Sequence, residues 1–142
     1  MTMLIPSSLL RFALKLDAGV SAPFGLFSAL LVSTLAARTA LPASLILITG
    51  LVCLPYAALL IWLSGRQHLA RFGIAAIVIG NLLWADAAIA LAFGWLGAKP
   101  SSEGLILLAI HAIATGTFAV LQAAGWYRST VANAASRTPV AA

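Results

Sequence analysis

ASLILITGLVCLPYAALLIWL, running from Ala43 to Leu63, carries no charged residue and is long enough to cross a bilayer as a single helix. Two further stretches share this character. Phe72 to Leu96 holds one formal charge, Asp86, and Leu105 to Tyr127 holds none. A fourth crossing is expected from about Leu14 to Ala37. Together the four predict an all-α integral membrane bundle, one transmembrane domain covering residues 1–142, with short loops and a brief tail from Arg128 onward.

Composition supports this class. The chain has 142 residues, of which 63% are hydrophobic and 8% charged, and its mean hydropathy is +1.09. That leaves too little polar surface to cover a soluble globule. The basic pI of about 10.4 does not point to nucleic acid, because the cations are scattered singly and form no stripe. They read instead as topology signals. With the N-terminus inside, Arg11, Lys15, Arg66, Arg71, Arg128 and Arg137 fall on the cytoplasmic side, and only Arg38 and Lys99 outside. Both termini are therefore expected to be cytoplasmic, in a bacterial inner membrane. Arg11 and Lys15 before an apolar run ending in Leu35-Ala36-Ala37 also suit a signal peptide; the segment is read here as a retained crossing. Cys53 is the single cysteine, so no intrachain disulfide can form.

Local signals mark the element ends. Pro6-Ser7-Ser8 suits a helix start, Arg11 and Lys15 would meet lipid phosphates, and Pro23 is the expected bend in the first crossing. Pro55 lies inside the second crossing, and Ser64-Gly65-Arg66 ends it. Gly97 to Gly104 reads as an outer hairpin turn, and the tail after Tyr127 as a mobile polar segment. Trp62, Trp95 and Trp126-Tyr127 sit where interfacial aromatics belong. Trp84 lies mid-span, where an indole needs a packing partner, a ligand or another protein. Small residues spaced by four, Ser21/Gly25, Ala76/Gly80, Ala88/Ala92, Ala90/Gly94 and Ala112/Gly116, offer close helix contacts.

Any chemistry must come from the few buried polar groups. Asp86 lies about 14 Å below the outer end of its helix and His111 about 9 Å below the start of the next, taking 1.5 Å per residue. They are expected to form a buried polar pair, either a structural clamp or a site for a proton, ion or ligand. Asn81 and Gln122 form a second polar layer. His111, Thr115 and Gln122 fall within roughly 40° on one helix face, whereas Asn81 and Asp86 diverge by roughly 140° and cannot both face the same neighbour. Asp17, Ser21 and Ser28 make a polar line on the first helix, with Asp17 near the cytoplasmic entrance. There it is expected to pair with Arg66, Arg71 or Arg128, or to serve as a gate.

Enzymatic readings find no support. Phosphate-loop glycines, a nucleophile with a spaced base and metal-ligand spacing are all missing, so no catalytic residue, metal or cofactor is expected. A shared pigment or haem held through His111 is the one cofactor reading left open.

Leu16-Asp17-Ala18 followed by Gly25, the outer turn Leu41-Pro42, and Asn81-Leu82-Leu83-Trp84-Ala85 resemble a pattern in a family of uncharacterised small bacterial four-helix integral membrane proteins. The resemblance implies the same four-helix fold over most of the chain and carries no activity. The arrangement is also superficially similar to small multidrug exporters, but the membrane-embedded glutamate of their first helix is missing; Glu103 is the only glutamate. Two function classes follow: a non-catalytic accessory or assembly subunit of a larger membrane complex, and an oligomeric proton-coupled transporter or channel. The first is favoured. The partners expected are the lipid bilayer and other membrane subunits or further copies of the chain, and not nucleic acid.

Overall fold

A computed structural model describes residues 3–131. Arg137 and most of the tail lie outside them. The order is β1 (Met3–Ile5), α1 (Ser8–Leu30), α2 (Val32–Thr39), α3 (Ala43–Ser64), β2 (Leu69–Ala70), α4 (Arg71–Ala92), α5 (Ser102–Tyr127) and β3 (Thr130–Val131). The fold is all-α in character. Helices α3, α4 and α5 are each long and apolar enough to cross a membrane, and α1 with α2 makes a fourth if that bent pair is one span.

The first helix departs from expectation in two ways. It starts at Ser8, where the Pro6-Ser7-Ser8 signal put it, but Ser7 is the cap: the Ser7 hydroxyl accepts from the Leu10 N–H at 3.1 Å, which leaves Pro6 outside the helix and not in its first turn. It also runs through Pro23 and breaks instead at Leu31, beyond which α2 turns off by 90°. No proline causes this break. Val32, Ser33 and Thr34 are weak helix formers, and the turn seats Leu35 and Ala36 of α2 against Leu41, Ile46, Ala88 and Leu108. A bidentate ion pair between Arg38 and Glu103, 2.7 and 3.1 Å, spans the exposed outside of this joint.

Helix α4 ends at Ala92, short of the expected Leu96. Gly94 adopts a left-handed φ of 74°, and the Trp95 N–H reaches back to the Ala90 carbonyl at 3.0 Å. That geometry closes a helix and needs a residue without Cβ.

The long helices pack in the order α3, α1, α5, α4, while α3 and α4 scarcely touch along their backbones. Glycines permit the closest approaches. At Gly25 and Gly50, where α1 crosses α3, an added Cβ would sit 2.9 Å from the Gly50 carbonyl oxygen and 2.8 Å from the Ala29 nitrogen respectively. At Gly125 it would lie 2.6 Å from the Leu10 backbone, where α5 crosses α1. Of the small-residue pairs named above, Ser21/Gly25 lies at such a crossing; Gly80 and Gly116 have open space beside them.

A three-stranded antiparallel sheet, order β2-β1-β3, closes one end of the bundle. No strand was anticipated there. Leu4 pairs with Leu69 and Val131, and Leu4 and Leu69 continue into the core formed by Leu10, Leu14, Leu60 and Ile74. At the same end the Arg11 guanidinium donates to the Ser64 carbonyl at 2.7 Å and so caps α3. It therefore has a partner in the protein, which the sequence did not suggest.

Candidate functional site

The centre of the molecule is a carboxylate inside a ring of donors. Asp17 is 1% exposed and accepts four hydrogen bonds. Ser21, one turn along α1, donates to Oδ1 at 2.9 Å. Tyr56 of α3 donates to Oδ2 at 2.9 Å, Asn81 of α4 at 2.8 Å and Gln122 of α5 at 2.8 Å. Asn81 Nδ2 also donates to Gln122 Oε1 at 3.0 Å. All four long helices meet on this one side chain. Donors alone face it, which suits a carboxylate, a group with up to four accepting positions.

Asp17 was expected near one entrance and paired with Arg66, Arg71 or Arg128. Neither holds: none of these arginines bridges it, and the one ion pair among the described residues is Arg38 with Glu103. The misplacement comes from measuring depth from the expected start of the crossing near Leu14. Counted from Ser8, Asp17 is about 14 Å along α1, Tyr56 about 12 Å from the Ser64 end of α3, and Asn81 about 15 Å along α4. These depths bring the three side chains into one layer. Asn81 and Gln122 do lie within reach of each other, as their depths suggested. Tyr56 was not singled out; its hydroxyl in an otherwise apolar stretch was the available signal.

The expected pair of Asp86 and His111 does not form. Asp86 projects from the outer side of α4, on the exposed face that carries Ile79, Leu82, Leu83 and Phe93. It follows Ala85, a buried residue, by one position, which is about 100° of helix rotation. The Asn81 and Asp86 directions diverge as the helical geometry required, and Asn81 is the one that points inward.

His111 lies elsewhere, half-buried between aromatic rings. Its centroid is 4.9 Å from that of Phe24 and 6.4 Å from that of Trp84. Its Nε2 is buried with no hydrogen-bond partner, the sole such side-chain atom found among the described residues. Thr115 bonds to the His111 backbone carbonyl at 2.9 Å and so is satisfied within α5. Ser28, the last of the helix-1 polar line, is buried against Gly50 away from the Asp17 ring.

Directly beside these groups is a cavity of about 240 Å³, bordered by Ser21, Phe24, Tyr56, Asn81, Trp84 and His111 among others. Its remaining lining is mostly apolar and includes Cys53 and Gly80. Val52 and Ile110, also in its wall, are 48% and 61% exposed, so the cavity communicates with the side of the bundle at mid-height. A second cavity of about 510 Å³ extends toward α2 and shares Phe24, Trp84, Leu107 and His111 with the first. His111 and its aromatic neighbours form the waist between them. Comparison of the chain with protein-family models, with curated proteins and with solved structures finds no match.

Proposed function

We propose that the chain is a four-span, non-catalytic accessory or assembly subunit of a larger complex in a bacterial cytoplasmic membrane, with both termini inside. The resemblance to small bacterial four-helix membrane proteins and the distribution of lysine and arginine support that placement. The observation carrying the role is Asp86. A carboxylate on an outward helix face among Ile79, Leu82, Leu83 and Phe93 is costly against lipid and inexpensive against a protein that supplies a donor or a cation. The Asp17 ring agrees with the same role. Its four donors come from within the chain, so it holds the bundle together and leaves the outside of α4 free for contact.

The test is purification of the tagged chain from its native membrane in mild detergent, comparing wild type with Asp86→Ala. A stoichiometric membrane partner should accompany wild type and be lost from the variant, whose unfolding should not change because Asp86 supports nothing inside the chain. Retention of the partner by Asp86→Ala would overturn the role. The cavity beside the Asp17 ring favours the transporter reading as runner-up. A pure homo-oligomer whose proton flux in vesicles is abolished by Asp17→Asn would establish it instead.

A further inference from the structure

We infer that the cavity at His111 is a binding site for a lipid-soluble quinone-like molecule: a planar ring bearing a carbonyl, with an apolar tail. The inference does not depend on the accessory role. Four observations converge on this ligand. The lining is predominantly apolar, so the bulk of the ligand is apolar. The waist is made of Phe24, Trp84 and the imidazole, flat surfaces against which a planar ring stacks better than a branched chain does. The unpartnered Nε2 is a polar group without a partner in the protein, and a buried group in that state gains from a ligand atom that bonds to it. Nε2 is closed off from the cavity as well as from the outside in the ligand-free protein, so the imidazole, which borders the cavity, turns to present its N–H to a ring carbonyl, and that carbonyl supplies the bond. Finally, the larger cavity beyond the waist gives a tail somewhere to lie, and the exposed wall residues Val52 and Ile110 place the entrance on the side of the bundle, where a molecule dissolved in the bilayer arrives.

Four of the other polar side chains near the cavity are already engaged. Ser21, Tyr56 and Asn81 donate to Asp17, and Thr115 donates to the backbone. His111 and the Trp84 indole N–H, which also borders the cavity, are thus the groups left to select a polar ligand atom.

Trp84 reports on the site directly. A variant with Trp62→Phe, Trp95→Phe and Trp126→Phe keeps it as the single tryptophan. In phosphatidylcholine vesicles this protein is titrated with a fully substituted benzoquinone carrying a decyl tail, which cannot add to Cys53. Saturable quenching of Trp84 is expected. Gly80→Leu should abolish the saturable component, because Gly80 borders the cavity and a Cβ there meets nothing within 4 Å, so the side chain plugs the cavity without clashing with the fold. Gly116→Leu, where a Cβ also meets nothing, should leave quenching unchanged. His111→Phe should weaken binding about tenfold, the loss of one hydrogen bond in an apolar setting.

Quenching that rises linearly without saturating, or saturable quenching unmoved by Gly80→Leu, would overturn the site. Quenching of Trp84 by brominated-chain phosphatidylcholine that the quinone fails to relieve would show that the cavity takes phospholipid chains, and would overturn the ligand.

Discussion

Replacing Asp17 tests the packing argument most sharply, because Asp17→Asn and Asp17→Ala should differ by an amount the geometry sets. Three of the four bonds to Asp17 cross between helices, from Tyr56, Asn81 and Gln122, and all three arrive at Oδ2. An interhelical hydrogen bond in a membrane protein contributes about 0.6 kcal/mol on average and up to about 1.7, and bonds to a carboxylate stand toward the upper end. At about 1 kcal/mol each, Asp17→Ala should cost about 3 kcal/mol. In Asp17→Asn the side-chain oxygen can occupy the Oδ2 position and keep the three interhelical donors. The amide then faces Ser21, whose hydroxyl turns to accept instead of donate. Only the charge assistance is lost, about half of each bond, so the expected cost is about 1.5 kcal/mol. The assay is reversible unfolding by steric trapping in bicelles, with both variants measured against wild type. Equal destabilisation by Asn and Ala would refute the geometry, since it would mean that the convergence of three donors on one oxygen contributes nothing. A cost under about 0.5 kcal/mol for Ala would refute the claim that this residue holds the helices together.

Two further predictions concern packing and the cavity. Gly50→Ala should destabilise the bundle by about 1–3 kcal/mol, because its Cβ would press on the Ala29 and Gly25 backbones, whereas Gly73→Ala, with open space beside it, should be neutral or gain up to about 1 kcal/mol of helix propensity; the same unfolding assay separates them. His111→Phe should raise the stability of ligand-free protein by about 1 kcal/mol, since it removes a buried unpaired nitrogen, even while it weakens ligand binding, and a loss of stability would mean that the imidazole is bonded after all.

The long apolar stretches α3, α4 and α5 were plain from composition, because a helix apolar on every side needs no periodicity to be recognised. For the same reason the sequence was nearly silent on which sides face inward. Asp86 and Asn81 illustrate the difficulty. Their divergence around α4 follows from helix geometry alone, but which of them points to the core depends on neighbours that only the fold supplies. Asp17 was misread for a different cause. Counting its depth from the expected start of the crossing near Leu14, and not from the start of the helix at Ser8, moved it toward the surface and hid its match in depth with Tyr56 and Asn81. The turn at Leu31 has no proline to announce it, and Pro23, which seemed to announce one, lies within the helix. The sheet escaped notice because its strands have two or three residues each, too few for an alternating pattern to register.

That small sheet has a bearing on biogenesis. Its central strand, β1, is made first and its flanking strand β3 last, with β2 between them in time. As the chain is synthesised, Leu4 therefore gains its Leu69 neighbour midway and its Val131 neighbour only after α5 has emerged, the same helix that brings Gln122 to Asp17. Assembly thus has two locks, one in the polar centre and one at the sheet end, and the final helix turns both. A chain cut before α5 would leave an unpaired strand edge and an incompletely satisfied carboxylate together, two marks by which quality control could distinguish an unfinished copy from a finished one.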